Sequence, residues 1–194
     1  MHVFHPNSSS TRFSGPARRK LLGAKVLLIG AGLLAIINVD TSFATPADEA
    51  RVVGVISAVA IYADNRDFKP LERFFAPQTT IDYTSLWGGA PQNFAPEALM
   101  NIWGNLLPGF DATRHELSDI RVQTNTDTAT ATANVRATHW LGDRTWTVAG
   151  SYDYALIRSQ TGWQVSRMVF RLTEETGNRS LVEEAAAKVA AGKK

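Results

Sequence analysis

Between Thr128 and His139 the chain alternates without a break: Ala129, Ala131, Ala133, Val135, Ala137 and His139 fall on one parity, Thr128, Thr130, Thr132, Asn134, Arg136 and Thr138 on the other. A period of two sends these sets to opposite faces of a β-strand. The same residues wound as a helix would mix them. Thr113–Thr124, Thr145–Ser159 and Gly162–Thr173 are similarly rich in strand-forming residues. Their separators, Asn125-Thr126-Asp127, Gly142-Asp143-Arg144 and Gln160-Thr161-Gly162, are of the types that hairpin turns require. The segment from Thr113 to Thr173 therefore reads as a four-stranded antiparallel meander. A row of alanines on the concave side of a curved sheet leaves volume unfilled, and with His139 at its end that volume suggests a ligand cavity. The competing reading is a helix packed closely on small residues, with His139 a hydrogen-bonded core histidine.

The segments before the meander read mainly as helices. From Pro46 to Asp64, Val53, Ile56, Ala60 and Asp64 recur at steps of three and four, the pattern of an amphipathic helix whose buried face ends in a carboxylate. A short helix over Lys69–Phe75, a strand over Gln78–Ser85, a loop at Gly88-Gly89-Ala90-Pro91 and a helix from Pro96 through Leu107 follow, the last stopped by Pro108-Gly109. After the meander, Ser180 with Glu183 has the form of a capping box opening a further helix, so residues 175–194 read as a helical polar tail. Helices then strands give an α+β fold: a cone-shaped barrel, its strongly curved, mostly antiparallel sheet wrapped around N-terminal helices. The domain is expected over residues 45–174.

Residues 1–44 read as a signal peptide. Arg18-Arg19-Lys20 precedes an apolar run from Val26 to Val39, and Ser42-Phe43-Ala44 offers the small residues a cleavage site needs. That run is short of the ~20 residues a membrane-spanning helix requires, although an uncleaved anchor starting at Leu21 is an alternative. The basic pair also fits a twin-arginine signal as well as the general secretory route, so the expected location is periplasmic or secreted. Cleavage would remove five basic residues and one acid from totals of 20 and 18, leaving 15 and 17, and the formal charge would move from +2 to −2. The basic balance thus belongs to the leader and gives no support for nucleic-acid binding. With no cysteine, thiol nucleophiles, disulfides and thiolate metal sites are excluded.

Outside the leader only two histidines remain, His115 and His139, joined as candidates by Asp64 and by Tyr83 in Ile81-Asp82-Tyr83. A carboxylate, a phenol and two imidazoles on four separate elements is a layout that folding can gather into one pocket. Trp87 and Trp103 read as core and rim packing around it. Tyr152 shares a strand face with Trp146, Val148, Tyr154 and Leu156, and Arg167 alternates with Val165 and Val169. Candidate substrate contacts are Tyr62, Trp87, Trp103, Ala133, Val135, Tyr152 and Arg167. No phosphate-cradling glycine loop, nucleotide fingerprint or serine elbow is present.

From about Val52 to Leu172 the chain resembles the nuclear transport factor two-like superfamily, and within it the SnoaL-like and scytalone dehydratase branch. Asp64-Asn65-Arg66-Asp67-Phe68 looks like that dehydratase's Asp-Ser-Lys-Asp-Trp, and Ile81-Asp82-Tyr83 like its Ile-Asp-Tyr; His115 and His139 stand where the family has its two catalytic histidines. One departure is Ala63, where the dehydratase has a second tyrosine. Tyr62 is about 100° away around the helix and does not substitute for it. The resemblance implies an exported, cofactor-independent lyase or isomerase acting on a cyclic hydroxylated or ketonic molecule. In it, His115 is base and acid, His139 is hydrogen-bond partner or leaving-group orienter, Asp64 is the orienting carboxylate, and Tyr83 donates to a developing oxyanion. The partner expected is a small hydrophobic, aromatic or polyketide-like molecule, with no cofactor, metal or nucleic acid, and a homo-oligomer is compatible with the fold. The alternatives are a ligand-binding protein of the same fold without turnover and, third, a two-histidine, one-carboxylate iron site.

Overall fold

The N-terminal turn of the helix over Pro46–Asn65 is dictated by Thr45, whose hydroxyl accepts the Asp48 amide at 3.2 Å while Pro46 supplies a preset φ at the first helical position. The computed structural model describes residues 45–192; the expected signal peptide over residues 1–44 lies outside the described residues. Helix α1 (Pro46–Asn65) buries Val52, Val55, Ile56, Val59 and Ala63 on one face and ends where Arg66 adopts the left-handed region at φ 61°. Then come α2 (Phe68–Leu71), a 3-10 turn (Glu72–Phe74), β1 (Phe75–Asp82), α3 (Thr84–Trp87), β2 (Gln92–Phe94), α4 (Pro96–Gly104) and a second 3-10 turn (Leu107–Gly109). The rest is β3 (Ala112–Thr124), β4 (Thr128–Leu141), β5 (Arg144–Ser159), β6 (Gly162–Gly177) and α5 (Leu181–Gly192).

The strands form one six-stranded sheet in the order β2-β1-β6-β5-β4-β3, antiparallel at every pairing except β1 with β6. It is the curved, mostly antiparallel sheet expected, left open with β2 and β3 as its edges. Curvature has local causes. Asp119 and Ile120 oppose the single residue Ala133, while Ser166 and Thr173 are extra residues on β6 opposite β5. Each such bulge bends its strand and increases twist. The alternation of β4 is reproduced: the odd-numbered set from Ala129 to His139 is buried and the Thr set faces out. Among the described residues no helix is long and apolar enough to cross a membrane.

Several boundaries differ from expectation, each for a visible reason. Strand β1 stops at Asp82 because that side chain accepts the Thr84 amide at 3.0 Å and hydroxyl at 2.7 Å, starting α3 where Tyr83–Ser85 had read as strand. The helix expected through Leu107 ends at Gly104 and is followed by the 3-10 turn. Strand β6 continues to Gly177, past the boundary at Thr173. Helix α5 is a packed element and not a solvated tail, since Leu181 and Ala185, one turn apart, are fully buried. A Cβ built on Gly109 would stand 2.0 Å from the Ala185 carbonyl oxygen, so α5 seats on a bare glycine. Arg144 with Glu184 and Lys188 with Asp111 flank that seat.

Candidate active site

Asp64 lies in the last turn of α1, where the helix carbonyls disfavour a carboxylate. Its compensation comes from β3. The His115 amide donates to Oδ2 at 2.7 Å, His115 Nδ1 meets Oδ1 at 2.7 Å, and the Thr113 hydroxyl donates to Oδ1 at 2.9 Å. Thr113 and His115 share one strand face, two residues apart, so a single carboxylate takes both. Burial pushes the Asp64 pKa up, but the bond and charge of His115, with the amide and Thr113, hold it below its ordinary value. This hydrogen bond fixes the imidazole with Nδ1 toward the carboxylate and leaves Nε2 for the cavity that His115 lines.

His139, on β4 opposite Trp146, is in a different situation. Its Nδ1 lies 3.2 Å from the Trp146 carbonyl, which can only accept, so Nδ1 carries the proton and Nε2 the lone pair. The ring packs between Phe110 (centroids 4.9 Å apart) and Trp146 (4.7 Å) and meets His115 edge-on at 5.8 Å. Burial, aided by the charge of His115, pushes its pKa down to about 4. At neutral pH His139 is therefore an uncharged acceptor.

Both imidazoles open onto a cavity of about 310 Å³ between the sheet and helices α1, α3 and α4. Its polar lining is His115, His139, Tyr83, Tyr152 and Tyr154, with Thr84 and Gln92. The remainder is mostly apolar, including Val59, Ala63, Leu99, Trp103 and Phe170. Among the described residues that line it, none is Lys, Arg, Asp or Glu. The Tyr83 hydroxyl lies close enough to that of Tyr152 for each to bias the other's ionisation. Burial, followed by Tyr152 and Tyr154, raises the Tyr83 pKa well above its usual value, and burial carries Tyr152 to about 12. Both phenols are thus kept protonated at neutral pH.

The fold brings Tyr83, His115 and His139 together on the cavity wall with Asp64 behind His115, and places Trp87, Trp103 and Tyr152 on the wall as well. Four candidate substrate contacts are placed elsewhere. Tyr62 turns away, stacking on Phe74 at 5.6 Å with its hydroxyl 3.5 Å from Arg73, because one residue of helix rotation separates it from cavity-lining Ala63. Ala133 and Val135 are buried but do not line the cavity, and β4 reaches it only with Ala137 and His139. Arg167 is exposed on the outer face, since the extra residue Ser166 reverses the alternation that Val165 begins. Ala63 lines the cavity without a hydroxyl, while Tyr152 lines it beside Tyr83. Thr113 as support for Asp64 escaped sequence reasoning; its position two residues before His115 on a strand is the signal that points to it. No three His, Asp or Glu side chains converge as metal ligands among the described residues.

A family profile described as the SnoaL-like domain matches residues 44–169. No curated protein matches the chain significantly. Among solved structures, the Kfla4162 protein of Kribbella flavida is 29% identical, with a TM-score of 0.67 over 71% of this chain and 97% of its own. A scytalone dehydratase-like protein from Novosphingobium aromaticivorans shares the fold at 16% identity, with a TM-score of 0.58 over 69% of this chain and 89% of its own. A type 2 hexachlorocyclohexane dehydrochlorinase does so at 19% identity, with a TM-score of 0.59 over 68% and 89%.

Proposed function

The chain belongs to the SnoaL-like domain family, and from that premise we propose that it is a cofactor-independent lyase or isomerase acting by acid–base chemistry on an uncharged, largely apolar cyclic molecule that carries a carbonyl and a hydroxyl. Enzymes of elimination chemistry occur among proteins of this fold, but the reading is carried by one observation. Asp64 grips Nδ1 of His115 at 2.7 Å from outside the cavity, leaving Nε2 as a base facing an apolar space. In the proposed reaction Nε2 removes a proton alpha to the carbonyl. The electron pair moves onto the carbonyl oxygen, which receives hydrogen bonds from the Tyr83 and Tyr152 hydroxyls. Collapse of the enolate expels a β-hydroxyl, to which His115 returns the proton, so that water leaves and a conjugated alkene remains. Isomerisation uses the same first step and returns the proton to another carbon. Neutral His139 accepts a hydrogen bond from the departing hydroxyl and orients it. The uncharged lining supports an uncharged substrate, because a carboxylate or phosphate would enter without a partner.

The test is a panel of hydroxylated cyclic ketones followed by absorbance of the conjugated product. His115→Ala should lower turnover by ~10²–10⁴ while most binding survives. Asp64→Asn should cost less than His115→Ala, and Tyr83→Phe or Tyr152→Phe less again. Activity that survives His115→Ala overturns the assignment. Binding across the panel without turnover favours a carrier, and activity lost to chelator and restored by ferrous ion favours a metal site. Export is part of the proposal: protein recovered from the periplasm or medium should begin at Thr45, and intact Met1 in a membrane fraction would favour an anchor.

A further inference from the structure

Of the side chains that line the cavity, two large apolar ones are also open to solvent, Trp87 at 48% and Ile102 at 46%, which places the entrance beside α3 and α4. Trp87 ends the four-residue α3. Behind it, Ser85 anchors the turn to β6, donating to the Phe170 carbonyl at 2.6 Å and accepting the Leu172 amide at 3.0 Å. Ahead of it, Gly88 and Gly89 both take positive φ, 72° and 78°, with open space where a Cβ would stand. The indole is thus carried between the Ser85 anchor and two glycines with open space beside them, Gly88 still capping α3 through its amide on the Thr84 carbonyl at 2.8 Å. Two contacts hold it. Trp146 faces it at 5.8 Å between ring centroids, and the Arg179 guanidinium lies 5.3 Å from its centroid.

Arg179 is itself aimed. Glu175 Oε1 accepts its Nε at 2.6 Å and also the Trp146 Nε1 at 2.7 Å, while Glu175 Oε2 takes the Arg179 Nη2. One carboxylate therefore sets the arginine and the inner indole together, and the arginine sets the outer indole. Glu175 and Arg179 lie beyond residues 44–169, so this arrangement is outside what the family match covers. Arg179 does not line the cavity. Its effect on a ligand passes through Trp87.

We infer that Trp87 is a gate and a specificity-determining residue at the cavity entrance, and that Glu175–Arg179 is the positioning pair that holds it closed against Trp146. The ligand it admits is flat and uncharged, able to slip past two indoles, and bulky or three-dimensional molecules are turned back. The inference rests on the cavity being a ligand site, as proposed above, but not on any turnover.

Stopped-flow binding of the neutral fluorophore N-phenyl-1-naphthylamine to the folded domain tests it, because a gate and a simple contact change rates differently. Loss of a contact raises the dissociation rate alone, whereas loss of a gate raises association and dissociation together. Arg179→Met should raise both rates about threefold with Kd unchanged, the size expected from a lost cation–π hold. Trp87→Ala should raise both by about tenfold or more and admit a bulkier neutral fluorophore that the parent protein excludes. Arg179→Lys, keeping a cation over the indole, should restore part of the effect. Both sites are at the surface, and melting curves check that the variants stay folded. Unchanged rates in Arg179→Met, a change in dissociation alone, or no fluorophore binding by the parent protein would each overturn the gate. The fluorophore undergoes no elimination, so these rates report the gate alone while the ketone panel reports the chemistry, and a failure of the one is told apart from a failure of the other.

Discussion

The acid side of the stability curve should carry the signature of one residue. His139 is 5% exposed and its pKa is pushed from 6.5 to about 4, a displacement equivalent to about 3 kcal/mol. In the unfolded chain the imidazole takes up a proton as pH falls through 6.5; in the folded protein it resists until about 4. The sign follows. The folded state has its full advantage above 6.5, loses it progressively between 6.5 and 4, and loses no more from this group below that range. At pH 5 the loss due to His139 alone should already be about 2 kcal/mol. Asp48, held near 2 by Arg158, Arg51 and Thr45 against the upward push of burial, and Asp64, also lowered, contribute losses only once pH falls below the ordinary carboxylate range. The window from 6.5 to 4.5 is therefore free of them. Urea unfolding of the parent protein and His139→Gln at half-unit intervals isolates the effect, since the fixed cost of the substitution drops out when only slopes are compared. The parent should fall more steeply by the stated amount. Parallel curves would refute the claim that His139 is kept neutral by its burial.

Three further outcomes follow from packing and hydrogen bonding. Ala133→Leu should destabilise by ~1–3 kcal/mol by overpacking and leave fluorophore binding intact, as read by a melt and a titration; weakened binding with unchanged stability would return Ala133 to the cavity wall. Gly109→Ala places a methyl against the Ala185 carbonyl and should lower the melting temperature and expose α5 to proteolysis near Ser180, while Gly192→Ala, with open space around it, should do neither. Thr113→Val removes a buried hydroxyl bonded to a carboxylate and should cost about 1–3 kcal/mol at neutral pH, with a smaller effect on turnover than Asp64→Asn.

Much of this architecture is legible in the chain because alternation and turn chemistry are local. The β4 pattern names its buried face residue by residue, and the short turn at Gly142 pins its pairing with β5. What alternation does not record is what covers a face. Ala133 and Ala137 have the same parity and the same burial, yet only Ala137 meets the cavity. Nor does it survive an inserted residue: Ser166 moves Arg167 to solvent while leaving Val165 and Met168 inside, and nothing in the local composition announces the bulge. The candidate site was readable where one residue type was scarce, as with two histidines and a carboxylate closing a helical stripe. It was unreadable where two elements had to meet. Tyr152 beside Tyr83, or Arg179 over Trp87, joins residues 69 and 92 positions apart, and α5 hides the packing of Leu181 and Ala185 in a segment that reads as a helical polar tail.

The two histidines make the division of labour in the proposed reaction asymmetric. Asp64 has two oxygens, and both are committed to β3 through His115 and Thr113, so it offers no direct bond to His139. His139 instead has a backbone carbonyl that holds its tautomer without stabilising a charge as strongly as a carboxylate would. When His115 accepts the substrate proton, the new cation is paired at once by Asp64, and its field at 5.8 Å further disfavours a proton on His139. The site therefore carries a single mobile proton. An acceptor that stays neutral throughout turnover can orient a departing hydroxyl without competing for that proton, which is why replacing His139 by a charged residue should damage catalysis more than Gln does. His139→Lys would place a second cation beside the His115 imidazolium in an apolar wall, and activity in that variant equal to His139→Gln would remove the basis for assigning the two rings different roles.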